Sequence, residues 1–198
     1  MALSEKECEK LINIARKAIE YYNLTGRIYS ANAKEKNLLE KKGVFVTLYR
    51  YPENELRGCI GIPYAEMPLV KAVAEAAVGS ANDPRFLPVS NEELQKCVVE
   101  ISVLSEPEKI ENKNATKKIV VGKHGLIIKR AHHSGLLLPQ VATEYGWNSE
   151  AFLEQTCLKA GLQKNFWRLP DTEIFVFEAF VFREETPQGK IKIEILQK

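Results

Sequence analysis

The residues best suited to chemistry in this chain are the thiol of Cys59, the guanidinium of Arg57 and the two glycines that bracket the thiol, in Leu56-Arg57-Gly58-Cys59-Ile60-Gly61. A thiol attacks as its thiolate, and a neighbouring arginine or a helix N-terminus favours that form. Glycines weaken a strand interior unless a bulge or a close backbone approach requires them. Two readings fit. In one, Cys59 is a nucleophile or a ligand-contacting thiol, Arg57 anchors an anion, and Gly58 and Gly61 leave backbone bare for a ligand. In the other, Cys59 is a small buried apolar group and the glycines make room for a crossing helix, because free cysteine is among the most buried residue types.

Other candidates surround this segment in function, if not in sequence. Asp83 and Arg85, in Asn82-Asp83-Pro84-Arg85-Phe86, follow an apolar helix. They either stabilise a turn through local hydrogen bonds or face the glycine-rich strand, where Arg85 joins Arg57 in gripping a carboxylate or phosphate. Glu100 stands in the apolar run Val98 to Leu104. A carboxylate there reaches solvent or is buried and paired, as a general base or as the partner of Arg57 or Arg85. His124 is a candidate base for Cys59. Gln140 and Glu144, four apart on one helix, form a surface pair or the polar wall of a cleft. His132 and His133 point to opposite faces if extended, and no Cys or carboxylate stands at ligand spacing, so no metal site is expected.

These residues must be positioned by recognisable elements. Ser4 and Glu7 form a capping box, and Cys8, Leu11, Ile12, Ala15, Ala18, Ile19 and Tyr22 recur at helical spacing up to Gly26. Val44 to Tyr49 and Leu56 to Ile62 read as a hairpin about Pro52-Glu53-Asn54-Glu55. A helix starts at Pro68, and a second capping box, Ser90 and Glu93, opens a short helix. Val98 to Leu104 is a strand, and polar residues 106–118 are a loop. Apolar runs 126–128 and 136–138 flank a turn at Arg130 to Ser134. Helices follow Pro139 and run from about Ser149 to Ala160, capped by Asn148 and ended by Gly161. Ile174 to Phe182 and Lys190 to Leu196 are strands.

Three landmarks recur in order: Gly43-Val-Phe-Val with Gly125-Leu-Ile-Ile, Gly58 to Pro63 with Gly135 to Pro139, and Glu100 with Glu178 in their strands. The pattern predicts an α+β fold of two diverged β-β-α-β repeats, with halves 1–106 and 119–198, pairing their sheets, with a closed barrel as one form, among flanking helices. The alternative is that any α+β chain yields such echoes.

The chain has 198 residues, 28 Lys and Arg against 26 Asp and Glu, and 45% hydrophobic residues. That excludes a disordered tail, and the near-neutral balance argues against nucleic-acid binding by charge alone. Cys8, Cys59, Cys97 and Cys157 form no C-x-x-C pair. With no leader pattern and no long apolar stretch, a cytoplasmic protein with free thiols and no membrane span is expected.

Leu56-Arg57-Gly58-Cys59-Ile60-Gly61 resembles the hallmark of the AMMECR family. The resemblance extends in order through Gly43-Val-Phe-Val-Thr-Leu, Asp83-Pro-Arg-Phe86, Glu100-Ile-Ser-Val-Leu-Ser105, His124-Gly-Leu, Gly135-Leu-Leu-Leu-Pro-Gln-Val-Ala142, Gly146-Trp and Cys157-Leu-Lys-Ala-Gly161. It implies a single cytosolic α+β domain over 1–198, with a cleft beside the hexapeptide and no established reaction or cofactor. It also implies protein partners, a Memo-like protein and a radical-SAM enzyme, in a shared modification pathway. The expectation is an enzyme or substrate-handling component taking a small anionic ligand at Leu56 to Gly61. The alternative is a noncatalytic adaptor for a partner protein or, less in keeping with the charge, a nucleic acid.

Overall fold

The computed structural model describes residues 3–194, which fall into two compact units, 3–104 with 180–194, and 105–179.

In the first unit the long opening helix α1 (Glu5–Thr25) begins as its sequence dictates. The Ser4 hydroxyl accepts the Glu7 N–H, and Glu7 returns a carboxylate to the Ser4 N–H. Gly26 ends the helix in the left-handed region, at φ 68°. A one-turn helix, α2 (Lys36–Leu39), precedes the hairpin of β1 (Val44–Arg50) and β2 (Glu55–Ile62). Next come α3 (Leu69–Ala81), the one-turn α4 (Asn91–Leu94) and β3 (Cys97–Leu104). β1 pairs antiparallel with both β2 and β3. Val44, Val46 and Leu48 of β1 and Val99, Ile101 and Val103 of β3 share a core with the apolar faces of α1 and α3. The alternation of β1 thus buries even-numbered residues against the helices and turns Phe45, Thr47 and Tyr49 to the other face.

The second unit holds β4 (Glu108–Ile110), α5 (Ala115–Lys118), the hairpin β5 (His124–Arg130) and β6 (His133–Leu137), then α6 (Pro139–Glu144) and α7 (Ser149–Lys159). β7 (Glu173–Glu184) gives its first part to this unit, pairing with β5 and β4, and its last part to the first unit, where it pairs with β8 (Ile191–Glu194). Asn148 caps α7 by accepting the Ala151 N–H, and Gly161 follows at φ 75°. The second core gathers Leu126, Ile128, Phe152, Leu153, Cys157 and Ile174.

The chain is α+β, and each unit runs hairpin, helix, third strand. Residues 106–118, expected as a loop, carry β4, a 3-10 turn and α5. Ile110, Ala115 and Ile119 are buried there, and these scattered apolar positions are too sparse to show a period. The dividing lines also differ from the expected halves, since 180–194 belong with the first unit. Ile195 and Leu196, at the end of the last expected strand, lie outside the described residues. Among the described residues no helix is long and apolar enough to cross a membrane.

Candidate functional site

β2 carries the hexapeptide, and its pairing with β1 is interrupted. Leu48 pairs with Gly58 but Tyr49 pairs with Leu56, so Arg57 is the extra residue of a bulge. The bulge re-aims its side chain at α4 and the preceding loop. Arg57 Nε and Nη2 donate to the two Glu93 oxygens at 2.6 and 2.9 Å, and Nη2 also donates to the Leu87 carbonyl at 2.7 Å. The residue is 3% exposed. Nε and Nη2 are thus committed to the chain itself, while Nη1 is buried with no partner among the described residues, and Glu93 is diverted from closing the second capping box.

The glycines sit where other parts of the fold approach the backbone closely. A Cβ on Gly58 would overlap the Ser80 carbonyl at the end of α3, and one on Gly61 would overlap the Phe45 ring. The bare backbone is filled from within, by a helix on one face and an aromatic ring on the other.

Cys59 lies between them, half-buried and unpaired. Thr47, directly across on β1, donates its hydroxyl to the sulfur at 3.3 Å. Burial pushes the thiol above its ordinary range, while the Thr47 hydrogen bond and the charge of Arg85 pull in the opposite direction. The arginine effect anticipated from the sequence is therefore present but comes from Arg85, and desolvation outweighs it.

Asp83 and Arg85 do meet the glycine-rich strand. Asp83 Oδ2 accepts the Cys59 N–H at 2.9 Å, and Oδ1 accepts the Arg85 N–H at 3.1 Å, forming a local turn. Arg85 Nε and Nη2 donate to the same carboxylate at 3.0 and 2.6 Å. Asp83 is held well below the usual carboxylate range, chiefly by Arg85. The Arg85 side chain is 56% exposed. Phe86 lies between the two arginines, each guanidinium 5.6 Å from its ring centroid.

Glu100 completes a row. Thr47 pairs with Cys59 on one side and Glu100 on the other, so the three side chains stand abreast on the sheet face opposite the helices. Glu100 is buried, with Arg183 Nη1 at 3.7 Å. Arg183 of β7 is thus a cationic neighbour of Glu100. The second unit offers an instructive comparison. Its helix-contacted glycine is Gly135, where a Cβ would meet Ala160 at the end of α7. The row that follows is Leu136, Ile127 and Phe175. Where the first unit has thiol, hydroxyl and carboxylate, the second has hydrocarbon. Phe175 stands in that row, and Glu178 does not. Glu178 is instead an exposed residue paired with Lys123 at 3.1 Å.

His124 and Gln140 belong to the second unit. His124 Nδ1 accepts the Val120 N–H at 3.2 Å, which fixes a tight turn, and burial lowers its pKa. Gln140, on α6, has a buried Oε1 with no partner among the described residues. Also among the described residues, no three of His, Cys, Asp and Glu are grouped to hold a metal.

Sequence reasoning missed Thr47, Phe86 and Arg183 around the thiol. It also missed a buried pair below the sheet: Arg16 Nε and Nη2 donate to Glu184 at 2.7 and 2.6 Å, and the Val99 N–H donates to the same carboxylate. One signal was available, because Arg16 interrupts the apolar stripe of α1 at the helical repeat of Cys8 and Ile12.

Comparisons with known proteins agree with the resemblance. The AMMECR1 family model matches residues 12–182. Protein MK0488 of Methanopyrus kandleri is 48% identical over 195 residues, covering 96% of this chain and 94% of that protein. Protein PH0010 of Pyrococcus horikoshii is 50% identical over 191 residues, covering 93% of each. The crystal structure of uncharacterized protein PH0010 superposes with a TM-score of 0.92 at 47% identity, covering 98% of this chain and 99% of that one.

Proposed function

This chain belongs to the AMMECR1 family, and on that premise we propose that it is a substrate-handling component of a modification pathway, holding a small anionic ligand beside Cys59. The observation that carries the reading is the shared carboxylate of Asp83, which fixes an exposed guanidinium, Arg85, against the backbone of a half-buried thiol. A guanidinium held in one orientation suits a carboxylate or phosphate. Burial disfavours the thiolate of Cys59, which suits the thiol to ligand contact rather than attack. The Memo-like protein and radical-SAM enzyme implied by the family resemblance would then supply the bond-making steps.

The test is protection. Iodoacetamide labelling of Cys59 is followed with added phosphate or succinate at constant ionic strength. Saturable slowing that disappears in Arg85→Ala supports the reading. Labelling indifferent to both anions, or equal protection in the variant, removes it.

A noncatalytic adaptor is the second reading. It is favoured by Leu87, which is 83% exposed although its carbonyl is tied to Arg57. Under this reading Leu87→Asp abolishes capture of a partner protein and leaves the anion protection of Cys59 intact.

A further inference from the structure

The second unit contains a cleft of about 820 Å³ lined by residues 109–113 together with Trp167, Arg168 and Pro170. That volume lies within the ~300–1,000 Å³ usual for small-molecule sites. Its lining carries three cations and one acid, so it favours an anionic group over a cationic one. Ile110 and Trp167 are buried beneath it, the Trp167 indole N–H with no partner among the described residues, and the Arg168 guanidinium lies 4.1 Å from the Trp167 ring centroid.

Asn112 makes this more than a charged hollow. Its Nδ2 has three main-chain carbonyls within hydrogen-bond distance, those of Trp167, Leu169 and Thr172, at 2.8, 2.8 and 2.9 Å, its two hydrogens being shared among them. Three acceptors around one end fix the amide orientation. They leave Oδ1 as an acceptor with no partner among the described residues. A side chain so firmly held, with its carbonyl unused, is a preorganised acceptor for an incoming N–H. The cations are also available. Lys109 pairs with Glu173, Lys113 with Glu111 and Arg168 with Glu150. These are exposed pairs, each contributing little, so a ligand anion can displace their partners at small cost.

We propose that this cleft binds the α-carboxylate end of an apolar amino acid, either free or as the last residue of a peptide. The carboxylate meets Lys113 and Arg168, the N–H on the α-carbon donates to Asn112 Oδ1, and the side chain lies on Trp167 and Ile110. The inference is independent of the reading of Cys59.

The indole N–H resonance of Trp167 reports on the site, assigned by comparison with Trp147→Phe. Leucine, N-acetyl-leucine and N-acetyl-leucinamide are titrated into the whole chain. At least one of the two acids shifts the resonance saturably, and the amide binds at least about tenfold more weakly. Arg168→Ala, an exposed change, weakens the acid by a similar factor while leaving the other resonances in place. Tighter binding of leucine identifies a free amino acid as the source, and tighter binding of N-acetyl-leucine a peptide end. No saturable shift with either acid, or equal affinity for the amide, overturns the proposal.

Discussion

Asp83 Oδ2 accepts the backbone N–H of Cys59 at 2.9 Å while the same carboxylate receives both Nε and Nη2 of Arg85. One buried group thus accepts the Cys59 N–H of β2, closes the turn after α3 and sets the exposed guanidinium of Arg85. The Asp83 side chain is 1% exposed, so water cannot replace it.

Asp83→Ala leaves the Cys59 N–H without its acceptor and frees Arg85. The expected loss is about 1–3 kcal/mol by urea denaturation, with Asp83→Asn intermediate because it keeps an acceptor. The pH dependence follows from the direction of the shift. The folded-state pKa lies below the unfolded one, so the contribution is complete above about pH 4 and is lost as pH falls through the folded value. Between pH 4 and 2 the wild-type chain should lose stability faster than Asp83→Asn. Parallel pH profiles would remove Asp83 as the linked group.

Gly58→Ala should destabilise more than Gly61→Ala. The first places a methyl into the Ser80 carbonyl, which is helix backbone and cannot yield cheaply. The second meets the Phe45 ring, which can tilt. Overpacking of this kind costs about 1–3 kcal/mol, and Gly58→Ala should sit at or beyond the upper end. Equal midpoints in thermal melts for the two variants contradict this packing account.

Breaking the Arg16–Glu184 pair leaves a buried charge uncompensated. Glu184→Ala should cost about 3–5 kcal/mol, and Arg16→Met with Glu184→Leu markedly less than either single change. A double variant as unstable as the sum of the singles would show that the two side chains act separately.

The fold was largely legible because its signals are local. The Ser4 and Glu7 box, the stripe from Cys8 to Tyr22 and the run at Val44 needed no distant partner to be read. The site was legible only as a set of residue types. Arg57 next to Cys59 in sequence looks like the group that tunes the thiol, yet a bulge turns it toward Glu93, 36 residues on, and Arg85 takes the nearby place. Such an exchange depends on register between strands, which sequence spacing does not fix. Thr47 escaped notice for the same reason, since it meets the sulfur only through pairing across the hairpin. Arg16 and Glu184 find each other across 168 residues, beyond any periodic pattern.

The central claim is that Cys59 is a protonated, ligand-contacting thiol. Cys8, Cys97 and Cys157 are fully buried, so native-state alkylation reports on Cys59, with the labelled site identified by mass spectrometry. Its rate with iodoacetamide, measured against pH, should rise with a midpoint above the ordinary thiol value of about 8.5. A midpoint near neutrality or below would show an activated thiolate and contradict the account.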